Sequence, residues 1–298
     1  MKHSNTIRNN AKYEWIHKWK GWYWITPSLI GVLIFSIIPF GLVFYYSSIR
    51  NIFTKEFVGL QNYVQVLHND AFRLAVKNTL IFTFTAVPAS IVIALLFAAI
   101  LEWSIPGKSW IRTFFFTPMM VPTASVVLIW QALFHDRGYI NSIFSLGGGQ
   151  IVHWLHSGYG MVVIVFIFIW KTMGYNMILF TAGLSSVPEN LVEAARLDGA
   201  SERYIFLRIK LRYLSPVLFF VLLYAMICSF KIFREVYMLV GNYPADGLYM
   251  LQNFINNTFQ SAAYQKLSSA AVWQALVMVV IIGILFGLER KFGKEVED

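Results

Sequence analysis

Residues 78–101 read NTLIFTFTAVPASIVIALLFAAIL, a run without one Asp, Glu, Lys or Arg. Within it, Ile91-Val92-Ile93-Ala94-Leu95-Leu96-Phe97 is apolar all round, with no polar face for water. A helix needs about 20 such residues to cross a hydrocarbon core about 30 Å thick. Five further runs share the character: 21–49, 113–134, 157–188, 213–230 and 267–288. The six together hold a single charged residue, Lys171, although the 298-residue chain carries 24 Lys or Arg and 15 Asp or Glu. Charged residues make up 13% of the chain, about half the usual share of a soluble domain, and hydrophobic residues 57%. A soluble globular enzyme, a disordered chain and a disulfide scaffold are thereby excluded. Barrel crossings would instead alternate apolar and polar residues in segments of about ten. The fold class is all-α: a polytopic membrane protein with six transmembrane helices.

The chain divides accordingly. Residues 1–20 form a cytoplasmic or interfacial N-terminal segment, and 21–49 the first transmembrane helix. Residues 74–289 form a core of five more helices, and 290–298 a cytoplasmic tail. The segment Tyr13-Glu14-Trp15-Ile16-His17-Lys18-Trp19-Lys20 mixes aromatics with cations, as suits a headgroup anchor. The first span reads as a retained helix, since its apolar run is about twice a signal-peptide core and no small-x-small site follows. Span 157–188 is too long for one crossing and leaves the bilayer near Gly183. Six crossings put both termini on one side. That side carries 15 Lys or Arg in its segments and the other 8, so the positive-inside rule makes it cytoplasmic. The net charge of +9 therefore reflects topology and calls for no nucleic-acid partner.

The loop 185–216 carries the most information: SSVPENLVEAARLDGASERYIFLRIKLRYLSP. Ser186 followed by Glu189 predicts a capping box, with Pro188 in the first turn. Glu189 and Glu193 favour the positive end of the helix dipole. Gly199 is placed to stop the helix, and Ser201 to cap a second one running to about Leu211. Two short helices bent at Gly199 result. By physics alone, this is either an amphipathic interfacial segment or a surface that docks into a groove on another protein.

The run Glu193-Ala194-Ala195, three residues, Gly199, nine residues, Ile209-x-Leu211 resembles the EAA loop of ABC importer permeases. The fuller string from Glu193 to Ala200, with Phe206 and Ile209, is similar to the carbohydrate branch. Arg112 through Pro118, Pro122 and Trp130 resemble that family's third-helix pattern. So do Gly138-Tyr-Ile-Asn141, Trp154-Leu155, and Trp170 with Gly174, Asn176, Ala182, Gly183 and Leu184. The resemblance covers about 25–290. It implies the type I ABC importer permease fold, in the bacterial plasma membrane. It implies a coupling loop over 186–212 in which Glu193, Ala194, Ala195, Asp198, Gly199, Ile209 and Leu211 meet an ATPase. The implied partners are a second permease subunit, two ATPase subunits and an extracytoplasmic solute-binding protein. One departure stands out: the family has Pro after Ile-x-Leu, whereas this chain has Arg212. The helix entering the fifth span is then expected to start differently, with Pro216 as the breaker.

Catalytic chemistry is sparse. Gly107-Lys108-Ser109 looks like the end of a phosphate-binding loop, but position 102 is Glu where the motif has Gly, and no strand precedes it. ATP hydrolysis is therefore expected on a separate polypeptide, with no catalytic residue, metal or cofactor here. His153-x-x-His156 with His135 is either a metal site or, the preferred reading, a group of exposed loop histidines. Cys228, the lone cysteine, reads as inert packing. Gly283-x-x-x-Gly287 reads as intramolecular helix packing. Lys171 is the sharpest candidate. A lysine within a bilayer faces protein or a water-filled path, and Trp170, Tyr175 and Asn176 beside it offer aromatic and hydrogen-bonding groups. It is either structural or part of a translocation path. Lys231, Arg234 and Glu235 read as boundary charges after the fifth span.

Two other function classes compete with the importer permease. An ion-coupled secondary transporter would favour intramembrane acids, and none lies in the six spans. A membrane-embedded enzyme would need converging nucleophile and acid–base groups, and none stands out.

Overall fold

The computed structural model describes residues 23–103 and 105–297, with side chains through 290. The expected N-terminal segment 1–20 and the last side chains of the tail lie outside the described residues. The chain forms two compact units: residues through Val66 with Ala263–Trp273, and Leu67–Ala262 with the remainder from Gln274.

In the first unit, helix α1 (Tyr23–Ser48) is apolar and almost wholly exposed, as a lipid-facing helix should be. It widens to a π turn over Leu33–Ile37, where the Ile38 N–H donates to the Leu33 carbonyl. Pro39, which follows, has no N–H with which to keep the regular ladder. Helix α2 (Gln61–Leu67) is tied back through Asn62, whose amide donates to the Ser47 and Ile49 carbonyls at 2.9 and 2.8 Å.

The second unit is built around α3 (Asp70–Glu102) and α7 (Gly160–Leu184), each long and apolar enough to span a membrane. Asn69 caps α3 by accepting from the Phe72 N–H at 3.1 Å. Ala86, Ser90, Ala94 and Ala98, four apart, are buried along one face of α3, and such small residues let neighbouring helices come close. Phe82 meets Phe168 of α7 edge-on at 5.4 Å. Helix α10 (Ser215–Phe230) joins them, with the Thr83 and Ser229 hydroxyls 3.0 Å apart.

The third crossing departs from the single helix expected over 113–134. It consists of α4 (Lys108–Met120) and α5 (Thr123–Phe134), and α5 with α6 (Tyr139–Leu146) is bent by 98° from α4. Val121, extended at ψ 135°, precedes Pro122, which disfavours a helical residue before it. Up to six crossings exist if this bent pair counts as one. The other correction is to the fifth crossing, which does not end at Phe230. Helix α11 (Phe233–Val240) continues it, giving an apolar span Ser215–Val240 that encloses Lys231, Arg234 and Glu235.

The remaining helices are three short ones and the last long apolar one. Helix α8 (Glu189–Leu197) is followed by α9 over 202–213, α12 (Leu251–Gln260) and α13 (Tyr264–Glu297). Residues 290–297 continue α13 as helix. Gly283 and Gly287 face open space, with nothing within 4 Å of a Cβ built on either. They do not seat a neighbouring helix of the chain. Gly174 does: a Cβ there would lie 1.8 Å from the Phe115 carbonyl oxygen, so α4 crosses α7 backbone to backbone.

Candidate functional site

Two places gather the residues singled out by sequence. The first is the loop α8–α9. The expected capping box does not form: Pro188 is the N-cap, with no side-chain cap bond, and Ser186 Oγ donates to the Gly183 carbonyl at 2.7 Å. That serine finishes α7 instead of starting α8. The C-terminal end follows the sequence closely. Gly199 adopts φ +81°, its N–H donates to the Arg196 carbonyl at 3.0 Å, and the Ala200 N–H donates to Ala195 at 2.9 Å. These two bonds are a Schellman motif. Ser201 Oγ then accepts from the Tyr204 N–H at 3.3 Å and starts α9. Arg196 bridges the bend to Glu202 at 2.8 Å. Hydrogen bonding to Arg196 holds the Glu202 carboxyl below its ordinary range, and the same contact raises the Arg196 guanidinium.

The loop is anchored on one side and open on the other. Ile205 and Leu214 are fully buried, and Phe206 and Leu211 pack against the core. Glu193, Ala194, Asp198 and Gly199 are exposed, Ala195 and Ile209 half-buried, and Leu197 is 89% exposed. The α9 helix widens to a π segment over Ile205–Lys210, and Lys210 forms an ion pair with Glu102 at the end of α3. Arg212 lies within a helical turn, and Pro216 occupies the first turn of α10, where its missing N–H is harmless.

The second place is a cavity of about 330 Å³ at the break between α4 and α5. Met119, Val121 and Thr123 bring the break to it, α7 contributes Phe168, Lys171 and Thr172, and α10–α11 contribute Tyr224, Cys228 and the charged residues. Lys171 Nζ donates to Thr123 Oγ1 at 3.1 Å and forms a close ion pair with Glu235. The Glu235 side chain is 7% exposed and that of Lys171 26%. Lys231 and Arg234 also line the cavity and are exposed.

The neighbours named with Lys171 disperse. Trp170 packs edge-on against Trp130 at 5.3 Å, and Tyr175 lies 4.8 Å from Tyr224. Asn176 is fully buried, and neither atom of its amide has a hydrogen-bond partner among the described residues. None of the three lines the cavity. What sequence reasoning missed is Glu235, set aside as a boundary charge. A signal was present: Ile232, Glu235, Val236 and Leu239 share one face at helical spacing, and all four are buried.

Elsewhere, His153 pairs with Asp136 at 2.9 Å, both exposed, and no three metal-binding side chains converge among the described residues. Asn141 holds that loop together. Its amide nitrogen donates to the Asp136 and Val152 carbonyls at 3.0 and 2.9 Å, and its oxygen accepts from Val152 N–H and Trp154 Nε1 at 3.2 and 3.1 Å.

Comparison with known proteins places this geometry among transport proteins. The family described as binding-protein-dependent transport system inner membrane component matches residues 104–290. The sn-glycerol-3-phosphate transport system permease protein UgpA of Escherichia coli O6:K15:H31 is 32% identical over 218 residues, 72% of this chain and 74% of its own length. The protein of the same name from Salmonella typhimurium is 32% identical over 222 residues, with the same coverage. Among solved structures, a bacterial ABC transporter involved in the import of the acidic polysaccharide alginate superposes with TM-score 0.83. It is 20% identical, over 95% of this chain and 99% of that one. The same transporter type in complex with an alginate pentasaccharide-bound periplasmic protein gives TM-score 0.82 at 21% identity, over 94% and 96%.

Proposed function

Because the chain belongs to the family of binding-protein-dependent transport system inner membrane components, we propose that it forms half of the translocation path of an ATP-driven carbohydrate importer. It is a multi-pass membrane permease and not an enzyme. The observation that carries the importer reading is the 32% identity with the UgpA permeases over 72% of the chain. The carbohydrate reading rests on the likeness of the Glu193–Ala200 string to the carbohydrate branch, aided by the alginate importer's fold. Its partners are a second permease, two ATPases and an extracytoplasmic solute-binding protein, and both termini face the cytoplasm.

In this reading ATP-driven closure of the ATPases moves the bent loop over 186–212. Glu193, Ala194, Ala195, Asp198 and Gly199 form the contact, and Ile209 and Leu211 carry the motion into α10. The exposed Leu197 beside small side chains supports a docked partner. Movement of α10 and α11 would shift Glu235 against Lys171, linking the loop to the cavity. Trp170, Tyr175 and Asn176 act one layer behind that path. Glu235 in a membrane span removes the argument from missing acids against ion coupling, so family membership alone weighs against that alternative.

Affinity purification through this chain tests the assembly. Co-isolation of an ATPase and a second permease, with sugar uptake that requires ATP, is the expected result. Uptake that runs on an ion gradient without ATP overturns the proposal.

A further inference from the structure

Resting on the importer reading, we infer that the cavity beside Lys171 is built for an anionic group of the transported solute, a carboxylate or a phosphate ester. Its wall holds three cations, Lys171, Lys231 and Arg234, against one carboxylate, Glu235. That carboxylate is already engaged by Lys171, leaving Lys231 and Arg234 exposed on the cavity wall. All three cations lie in segments long and apolar enough to cross a membrane, where charge is retained when a partner or water meets it.

One feature adds to the imbalance. Helix α5 begins at the cavity wall with Thr123. A helix start presents unpaired N–H groups and a partial positive charge, which favour anions. Trp170 packs on Trp130 and Tyr175 on Tyr224, and neither lines the cavity, whose aromatic wall is Phe168 and Tyr224. Glu235 thus serves as the resident anion of a cationic site, which an arriving carboxylate or phosphate supplements or displaces from Lys171.

A lipid headgroup has the same chemistry but not the same reach. Lys171 is near the middle of Gly160–Leu184, about 17 Å from its start and about 20 Å from its end. The solute is therefore the better match.

The complete importer, reconstituted with its binding protein, tests this in phosphatidylcholine vesicles with and without phosphatidylglycerol. The probes are maltotriose, a uronic acid trisaccharide, glycerol 3-phosphate and glycerol. Uptake of an anionic probe over its neutral counterpart is expected. Lys231→Gln and Arg234→Gln should each lower the anion-to-neutral ratio roughly tenfold. Both side chains are exposed, and the Lys231→Arg, Arg234→Lys pair should restore the preference.

Carriage of maltotriose with a ratio unmoved by the two Gln changes overturns the anionic site and leaves carbohydrate import standing. Carriage of glycerol 3-phosphate without either trisaccharide keeps the anionic site and overturns the carbohydrate. Failure to carry any anionic probe overturns the site. So does a Gln effect seen only when phosphatidylglycerol is present, which would assign the cations to lipid.

Discussion

Separating Lys171 from Glu235 should have unequal consequences in the two directions. Lys171→Met leaves a carboxylate whose side chain is only 7% exposed without its cation. Breaking a buried pair by removing one partner costs about 3–5 kcal/mol, because the remaining charge is uncompensated. Glu235→Gln is milder. The ammonium keeps Thr123 Oγ1 at 3.1 Å and, at 26% exposure, opens onto the cavity. The loss should be about 1.5–3 kcal/mol, the worth of a charge-assisted hydrogen bond. The double change Lys171→Met, Glu235→Gln removes both charges, and its loss should fall below that of Lys171→Met alone. Denaturant unfolding in mixed micelles, followed by tryptophan fluorescence, gives the four free energies of a double-mutant cycle. Equal single losses, or a double change that equals their sum, would refute the reasoning from burial.

Other outcomes follow from local geometry. Gly174→Ala should destabilise by about 1–3 kcal/mol in the same unfolding assay, since its Cβ meets the Phe115 carbonyl at 1.8 Å; Gly283→Ala, in open space, should be neutral. Gly199→Val should strain the φ +81° bend by roughly 1–2 kcal/mol and lower solute-stimulated ATP hydrolysis of the assembled importer, while Gly199→Asn retains most of it. Asn141→Ala should speed amide exchange across 135–155 by removing the bonds that tie its ends together. In an NMR titration, the Glu202 midpoint should rise in Arg196→Gln. The pair's contribution to loop order should be present above the ordinary carboxylate range and fade as pH falls through the lowered midpoint.

Hydropathy made the crossings legible because the bilayer imposes one criterion on whole segments. It could not place their breaks. Pro118 and Pro122 were visible, yet the same residues serve in a kinked helix and in a broken one, and the packing of α4 on α7 at Gly174 decides between them. Charge interrupts the apolar run after Phe230, so hydropathy alone ends the fifth crossing there. A partner 64 residues away makes Glu235 compatible with the interior. The bend at Gly199 was readable because a left-handed residue after a helix is a local property. The capping box at Ser186 was not, since a serine hydroxyl can serve the helix before it as well as the one after, and here it donates to the Gly183 carbonyl of α7. Successive residues of α7 point about 100° apart, so Trp170 and Asn176 leave the Lys171 face, whereas Tyr175, four residues on, shares that face and packs on Tyr224.

The interruption at Val121 and Pro122 also bears on how this transporter could be blocked. Ending α4 and beginning α5 at the cavity exposes backbone carbonyl and N–H groups that a continuous helix would have paired. Hydrocarbon cannot satisfy them, and each left unmet costs several kcal/mol. An oily compound partitioning from the bilayer would therefore be a poor plug for this space, however well its shape fitted. An effective inhibitor has to carry hydrogen-bonding groups of its own and arrive through water.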